Sequence, residues 1–301
     1  MKCHALLPIA ARAVALLAVL LPAITVAPAG AAGGARLEAE PAALAGALAG
    51  HRSALLGEVH DNGVQHALRA AALRQRVEAG ARPAIAFEQF DTDRQADIDR
   101  VRKEKPGDAD ALIAAAGSGS WQWTMYRPFV QLALDHDLLI VAANLSRGAA
   151  MKVAMGDWNA VFDADTQTAL GLTRLPQPFL DAHEHAVAEG HCHLLPPASL
   201  PTMARAQIAR DVTLARAIRP YLARGVVLLT GNGHVRNDIG VPFWLTADER
   251  RDVVTVGLLE AGKDKEDAAA QRFDFVVETV AAERPDPCEA LRKKLQGAAP
   301  R

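Results

Sequence analysis

Two stretches of this chain carry an apolar run straight into groups that can do chemistry. Ala54-Leu55-Leu56-Gly57-Glu58-Val59-His60-Asp61 ends in a carboxylate and an imidazole, and Val226-Val227-Leu228-Leu229-Thr230-Gly231-Asn232-Gly233-His234 ends in a second imidazole. Both have the form strand, then Gly-x-x-His. Open α/β sheets place ligand sites at the carboxyl ends of their strands, and glycine lets the backbone turn tightly there. A third apolar run, Ala84-Ile85-Ala86-Phe87-Glu88, brings Glu88 to the same rim. Glu58, His60, Glu88 and His234 form the catalytic set this pattern suggests. His60, His234 and Glu88 are donors that a borderline divalent metal such as zinc or iron accepts. A three-ligand site with an open position would polarise a water or a carbonyl. Alternatively Glu58 is a general base. The plainer reading is a set of polar strand ends held by ordinary hydrogen bonds, since Gly-x-x-His is a short pattern.

The elements that must hold these groups alternate between strand and helix. A short helix over 41–50 precedes the first strand, and 65–79 has apolar residues at helical spacing. Strand, helix, strand in this compass is a βαβ unit. A polar helix is expected over 91–105, a mobile alanine- and glycine-rich segment over 108–120, and a helix from Arg127 to His136 with Pro128 in its first turn. Leu138 to Ala143 is a strand ending at Asn144. Residues 148–200 are expected to be irregular because Pro176, Pro178, Pro196 and Pro197 interrupt them. A long amphipathic helix runs over 202–222, and further strands follow at 226–229, 253–259 and 273–277. A short basic helix ends the chain. The fold class is therefore α/β, a central, mostly parallel sheet flanked by helices, with two related halves that each end in a Gly-x-x-His turn.

Other groups are weaker candidates. Asn144 and Arg147 at a strand tip suit a carboxylate or phosphate, and a structural salt bridge explains them equally well. Trp121, Trp123 and Tyr126 could wall a flat apolar ligand or simply belong to the core. His183, His185, His191 and His193 could bind metal or haem, or form a solvated loop. There is no Gly-x-Ser-x-Gly, Gly-x-Gly-x-x-Gly or Walker pattern, so serine-hydrolase and nucleotide chemistry are not implied. The formal net charge is −2, with no basic stripe, so nucleic acid is not an expected partner.

Residues 1–32 read as a secretory signal: Lys2 and Arg12, an apolar run from Ala13 to Leu21, then small residues through Ala32. The mature chain is expected in the periplasm or outside the cell, with one domain over 36–295. No cysteine follows the apolar run, so no lipid anchor is expected. Export leaves Cys192 and Cys288, which suggests one disulfide pinning the tail to the body.

The ordered segments Leu56-Gly57-Glu58-Val59-His60-Asp61-Asn62 with His66, Ala86-Phe87-Glu88, Tyr126-Arg127-Pro128 and Ala142-Ala143-Asn144-Leu145 carry a family resemblance. It continues through His191-Cys192-His193-Leu194-Leu195-Pro196, Ala206 to Asp211, Thr230-Gly231-Asn232-Gly233-His234-Val235-Arg236 and Asp286-Pro287-Cys288-Glu289. In this series the chain resembles the ChaN-like haem-binding uptake proteins of the Tiki/TraB/erythromycin-esterase-like superfamily. The resemblance implies an exported haem-binding protein of iron acquisition, with haem as cofactor, a membrane uptake system as partner, and a homodimer as an assembly to test. It makes His66, Asn144, His191, Asn232 and Tyr126 ligand-binding candidates, joined by Arg147 from its place at the strand tip, with Tyr126, Tyr221 and the histidine run as sources of an axial ligand. The superfamily also implies a second reading, a metal-dependent hydrolase using Glu58, His60, Glu88 and His234.

Overall fold

Continuously buried strands build the sheet. The computed structural model describes residues 34–262 and 272–297. Its strands are β1 (Ala35–Leu37), β2 (Ser53–Leu56), β3 (Ala84–Asp91), β4 (Ile140–Asn144), β5 (Val226–Leu229), β6 (Val253–Glu260) and β7 (Phe275–Thr279). They form one seven-stranded sheet in the order β1-β7-β6-β2-β5-β3-β4, and every pairing is parallel. Because side chains alternate across a sheet, Ala54, Leu56, Ile85 and Phe87 join one core layer, while Leu55, Ala84 and Ala86 join the other. Continuous apolar strands buried on both faces are what a parallel sheet requires.

The first layer is covered by α1 (Pro41–Ala49), α2 (Gly63–Glu78), α3 (Gln95–Glu104), α4 (Ala109–Ala116) and α5 (Trp123–Asp135). Next in the chain come α6 (Arg147–Ala154), α7 (Ala164–Ala169), α8 (Gln177–Gly190) and α9 (Leu200–Ile218), of which α6, α8 and α9 supply most of the second layer. The short helices α10 (Asn232–Val235) and α11 (Ala247–Arg250) follow, and α12 (Pro287–Gly297) ends the described chain. No helix among the described residues is long and apolar enough to cross a membrane. The expected signal segment over 1–32 lies outside the described residues.

Three regions depart from the sequence reading. The segment 108–120 holds α4, because Asp108 caps it by accepting from the Ala111 amide at 2.8 Å and Ala109, Leu112 and Ala116 reach the core. Helix α5 begins at Trp123, so Pro128 sits inside it. Tertiary contacts hold that first turn: Trp123 packs on Phe90 with ring centres 4.9 Å apart and donates from Nε1 to the Ser118 carbonyl at 2.8 Å. Residues 148–200 contain most of α6, all of α7 and all of α8. Proline there marks beginnings, since α8 has one in its first turn, where a missing N–H costs nothing.

The expected disulfide is present. Cys192 and Cys288 are joined across 96 positions, with their Cα atoms 5.6 Å apart.

Candidate functional site

The two Gly-x-x-His turns leave adjacent strands. β2 pairs with β5 in the register Ala54↔Val227 to Leu56↔Leu229, so Glu58 and His60 lie beside Gly231 and His234. Asn232 locks the turns together. Its side chain donates to the Leu258 carbonyl at 2.6 Å and accepts from the Leu258 amide at 3.0 Å, while its own amide donates to the Glu58 carbonyl at 3.0 Å. A Cβ on Gly57 would lie 2.2 Å from Asn232 Oδ1, and one on Gly231 would lie 2.9 Å from the His60 ring. Both glycines are demanded by close approach.

Glu58 is buried and gathers donors from the α2–α5 side of the sheet. Its Oε1 accepts from the Tyr126 hydroxyl at 2.5 Å and from His60 Nδ1 at 2.9 Å. Its Oε2 is ion-paired with Arg69. Arg69 is fully buried; desolvation lowers its pKa to about 10, which leaves it cationic at neutral pH. His66 sits behind this pair. Its Nε2 donates to the His60 carbonyl at 3.0 Å, and its Nδ1 accepts from Arg69 at 3.2 Å. Burial lowers its pKa, so it stays neutral. The carboxylate therefore holds a hydrogen on His60 Nδ1 and sets the orientation of the ring. The His60 side chain is 48 % exposed, and its Nε2 carries no hydrogen bond among the described residues.

Glu88 serves the opposite side. β3 loses its regular pairing with β4 between Phe87 and Asp91, and such irregularities re-aim side chains. Glu88 Oε2 accepts from Thr230 Oγ1 at 2.6 Å and from the Gly231 amide at 2.9 Å. Burial pushes its pKa up, but the charges of His234 and His60 and these two donors outweigh it, so the net shift is downward. His234 donates from Nδ1 to Asp211 Oδ1 at 2.6 Å, and its Nε2 is 3.6 Å from Glu88 Oε1. Desolvation opposes a charge on His234, yet the Asp211 and Glu88 carboxylates prevail and raise its pKa to about 9. Asp211, buried on α9, is itself raised to about 6 by burial, against the pull of His234.

These two carboxylate–imidazole dyads open into a cleft of about 520 Å³ whose apolar lining includes Val59, Ala186, Val187 and Ile239. His183, His191 and Gln207 also line it. Within it the His60 ring, whose Nε2 has no hydrogen bond among the described residues, faces the His234 ring, which its two carboxylates keep protonated, an arrangement that offers a nitrogen on one side and a proton on the other. His191 caps α8, donating from Nδ1 to the Val187 carbonyl at 2.8 Å, so Nε2 is the ring nitrogen left for a ligand. His183 is a buried residue of α8 rather than part of a solvated loop. Its Nε2 donates to the Ile239 carbonyl at 3.1 Å, and burial lowers its pKa to about 4.

Several sequence candidates fall outside the cleft lining. Tyr126 is fully buried, committed to Glu58, and raised in pKa by desolvation, so it cannot reach a ligand as it stands. His66 is likewise spent on buried partners. Asn144 accepts from Arg210 at 2.9 Å near the sheet edge, where Arg147 is exposed at the start of α6. Asn232 touches the cleft, but its amide is used to pin β6. Tyr221 packs on the second core layer, while His185 and His193 point to solvent.

The expected metal site is not supported by the geometry of the described residues. Among the described residues no group of three His, Cys, Asp or Glu side chains could hold a metal ion. Glu88 is engaged by Thr230 and Gly231, and the Nδ1 atoms of His60 and His234 each face a different carboxylate. Sequence reasoning missed Asp211 and Arg69 as site residues. Their signal was available: each is a charge on the apolar face of an amphipathic helix, where an unpaired ion would be costly.

The described fold is similar to a solved structure of ChaN of Campylobacter jejuni, titled for its cofacial haem binding, with 20% identity and a TM-score of 0.61 over 77% of this chain and 89% of that one. More distant likenesses are the type III effector HopBA1, at 13% identity and a TM-score of 0.45 over 80% and 94% of the two chains, and an erythromycin esterase variant, at 14% and 0.42 over 84% and 81%. A comparison with curated proteins finds no match. The family model described as "Haem-binding uptake, Tiki superfamily, ChaN" matches residues 44–245, a span that holds both Gly-x-x-His turns, Glu88, Asp211 and His191, and so this chain belongs to the ChaN family of the Tiki superfamily.

Proposed function

We propose that this protein binds haem in the cleft between the β2 and β5 turns and the end of α8, in the service of haem and iron uptake. The observation that carries this reading is a cleft with apolar walls and two histidines, His60 and His191, whose Nδ1–H is fixed by a protein acceptor. Such an outer hydrogen bond leaves Nε2 basic and aimed for iron. Apolar walls suit the porphyrin face, and an imidazole supplies the axial bond when haem is present. Family membership supports the same ligand. The metal-dependent hydrolase reading is not favoured, because the carboxylates it needs as ligands are already spent within the protein.

The reading includes export to the periplasm or beyond, delivery to a membrane uptake system, and pairing of two copies. A haemin titration followed by absorbance tests its centre. A saturable Soret band is expected in the wild type, weakened by about tenfold or more in affinity in His191→Ala or His60→Ala, a loss of about 1.4 kcal/mol, and unchanged in Tyr126→Phe. Unaltered binding in the His60→Ala/His191→Ala double variant would refute the cleft as the haem site. Size-exclusion chromatography with and without haemin tests the pairing.

A further inference from the structure

The chain beyond β7 follows a path that its contacts define. The Val280 carbonyl accepts from Asn62 at 2.9 Å, and the Ala282 amide donates to Glu260 Oε1 at 2.9 Å. Arg284 then forms a forked pair with Glu260 and a 3.0 Å bridge to Asp61. Asp61 is the neighbour of His60. Four positions later Cys288 is bonded to Cys192, which is the neighbour of His191. This segment is thus tied to the His60 rim at one end and to the His191 rim at the other.

The span between the two ties is short and stiff. Four residues reach at most about 14 Å, and Pro285-Asp286-Pro287 contains two prolines that restrict its backbone. Little else anchors the far end, because α12 is largely exposed over 287–295. The α8 end that it holds is also conformationally unusual. Cys192 and His193 have φ of 56° and 54°, left-handed values that favour glycine and persist only where the surroundings impose them. Both cysteines are partly exposed, so a reductant can reach them.

We propose that Val280–Cys288 is a strap that clamps the mouth of the cleft, and that the Cys192–Cys288 disulfide is its redox-sensitive latch. Closed, it holds the α8 end, and with it His191, against the His60 rim. A dithiol opens it: one thiolate attacks a cystine sulfur, the second thiol resolves the mixed disulfide, and the reagent leaves oxidised by two electrons. Two cysteine thiols remain, and the His191 rim is released. The retained ligand is the haem of the preceding section, and that part of the inference rests on that reading.

The test uses the full chain with haemin as probe, comparing wild type, Cys192→Ser/Cys288→Ser, and Arg284→Gln, which leaves the disulfide intact. Two readouts are taken: transfer of haemin to excess apomyoglobin, and hydrogen exchange over residues 186–194 without haemin. The expectation is haemin release about tenfold faster in the double variant and intermediate in Arg284→Gln. Exchange at the α8 end should rise in the double variant and in wild type treated with dithiothreitol. Release within about twofold of wild type in both variants overturns the clamp, even where exchange rises. A wild type that takes up no haemin overturns the haem reading instead. The strap is then judged by exchange alone, and unchanged exchange overturns it.

Discussion

Gly57 and Gly231 occupy equivalent places in the two turns, yet the structure separates their roles. A methyl on Gly57 would meet Asn232 Oδ1 at 2.2 Å, Val235 at 2.9 Å and the Val256 carbonyl at 3.1 Å. None can yield, because the Asn232 amide is bound in both directions to Leu258. Gly57→Ala should therefore cost about 2 kcal/mol or more of unfolding free energy in urea. A methyl on Gly231 meets only the His60 ring at close range, and that half-exposed ring can swing aside. Gly231→Ala should cost under about 1 kcal/mol of stability while weakening haemin binding, since His60 leaves Glu58. The reverse pattern would show that His60 is held from elsewhere. The other dyad has a pH signature. His234 is raised from 6.5 to about 9, so its stabilisation is complete below pH 6.5 and is lost as pH rises through 9. It titrates together with Asp211 as one unit. Urea unfolding should show wild type losing stability between pH 7 and 9.5, and Asp211→Asn losing less while starting lower.

At the scale of elements, the strands that carry the site were legible and several helices were not. β2, β3 and β5 announce themselves as apolar runs ending in Gly57-Glu58, Glu88 and Thr230-Gly231, because a strand buried on both faces needs no partner pattern to be recognised. The disulfide followed from counting cysteines. β1 was missed because three residues carry no periodicity. α8 is hidden in the sequence because its prolines read as breakers, whereas at a first turn proline opens a helix, and His183 therefore reads as a metal or haem candidate or a solvated-loop residue. That misplacement has a measurable side. His183 is buried and depressed from 6.5 to about 4, so the folded state binds fewer protons than the unfolded chain between those values. Its contribution is fully present above pH 6.5 and is lost as pH falls toward 4, by at most about 3 kcal/mol. His183→Asn should flatten the acid limb of the stability profile between pH 6.5 and 4. A limb as steep as that of wild type would assign acid sensitivity to another group.

At the scale of the molecule, the site exists only when distant parts of the chain meet, since β2 lies between β5 and β6. The Cys192–Cys288 bond acts on that assembly chiefly through the unfolded state. It closes a loop spanning 96 positions, and chain entropy alone assigns such a loop about 4 to 5 kcal/mol. In the folded state it holds down a largely exposed helix, so its removal breaks few packed contacts. Cys192→Ser/Cys288→Ser should therefore lower the unfolding free energy by about 2 to 4 kcal/mol. It should also raise the urea m-value, because an uncrosslinked chain exposes more surface when it unfolds. A loss of stability with an unchanged m-value would place the cost in the native state, at the left-handed turn of Cys192 and His193. In that case Cys192→Gly/Cys288→Ser, which relaxes the turn and still lacks the bond, should recover much of the loss. If the effect arises in the unfolded chain, that variant should stay as unstable as the serine pair.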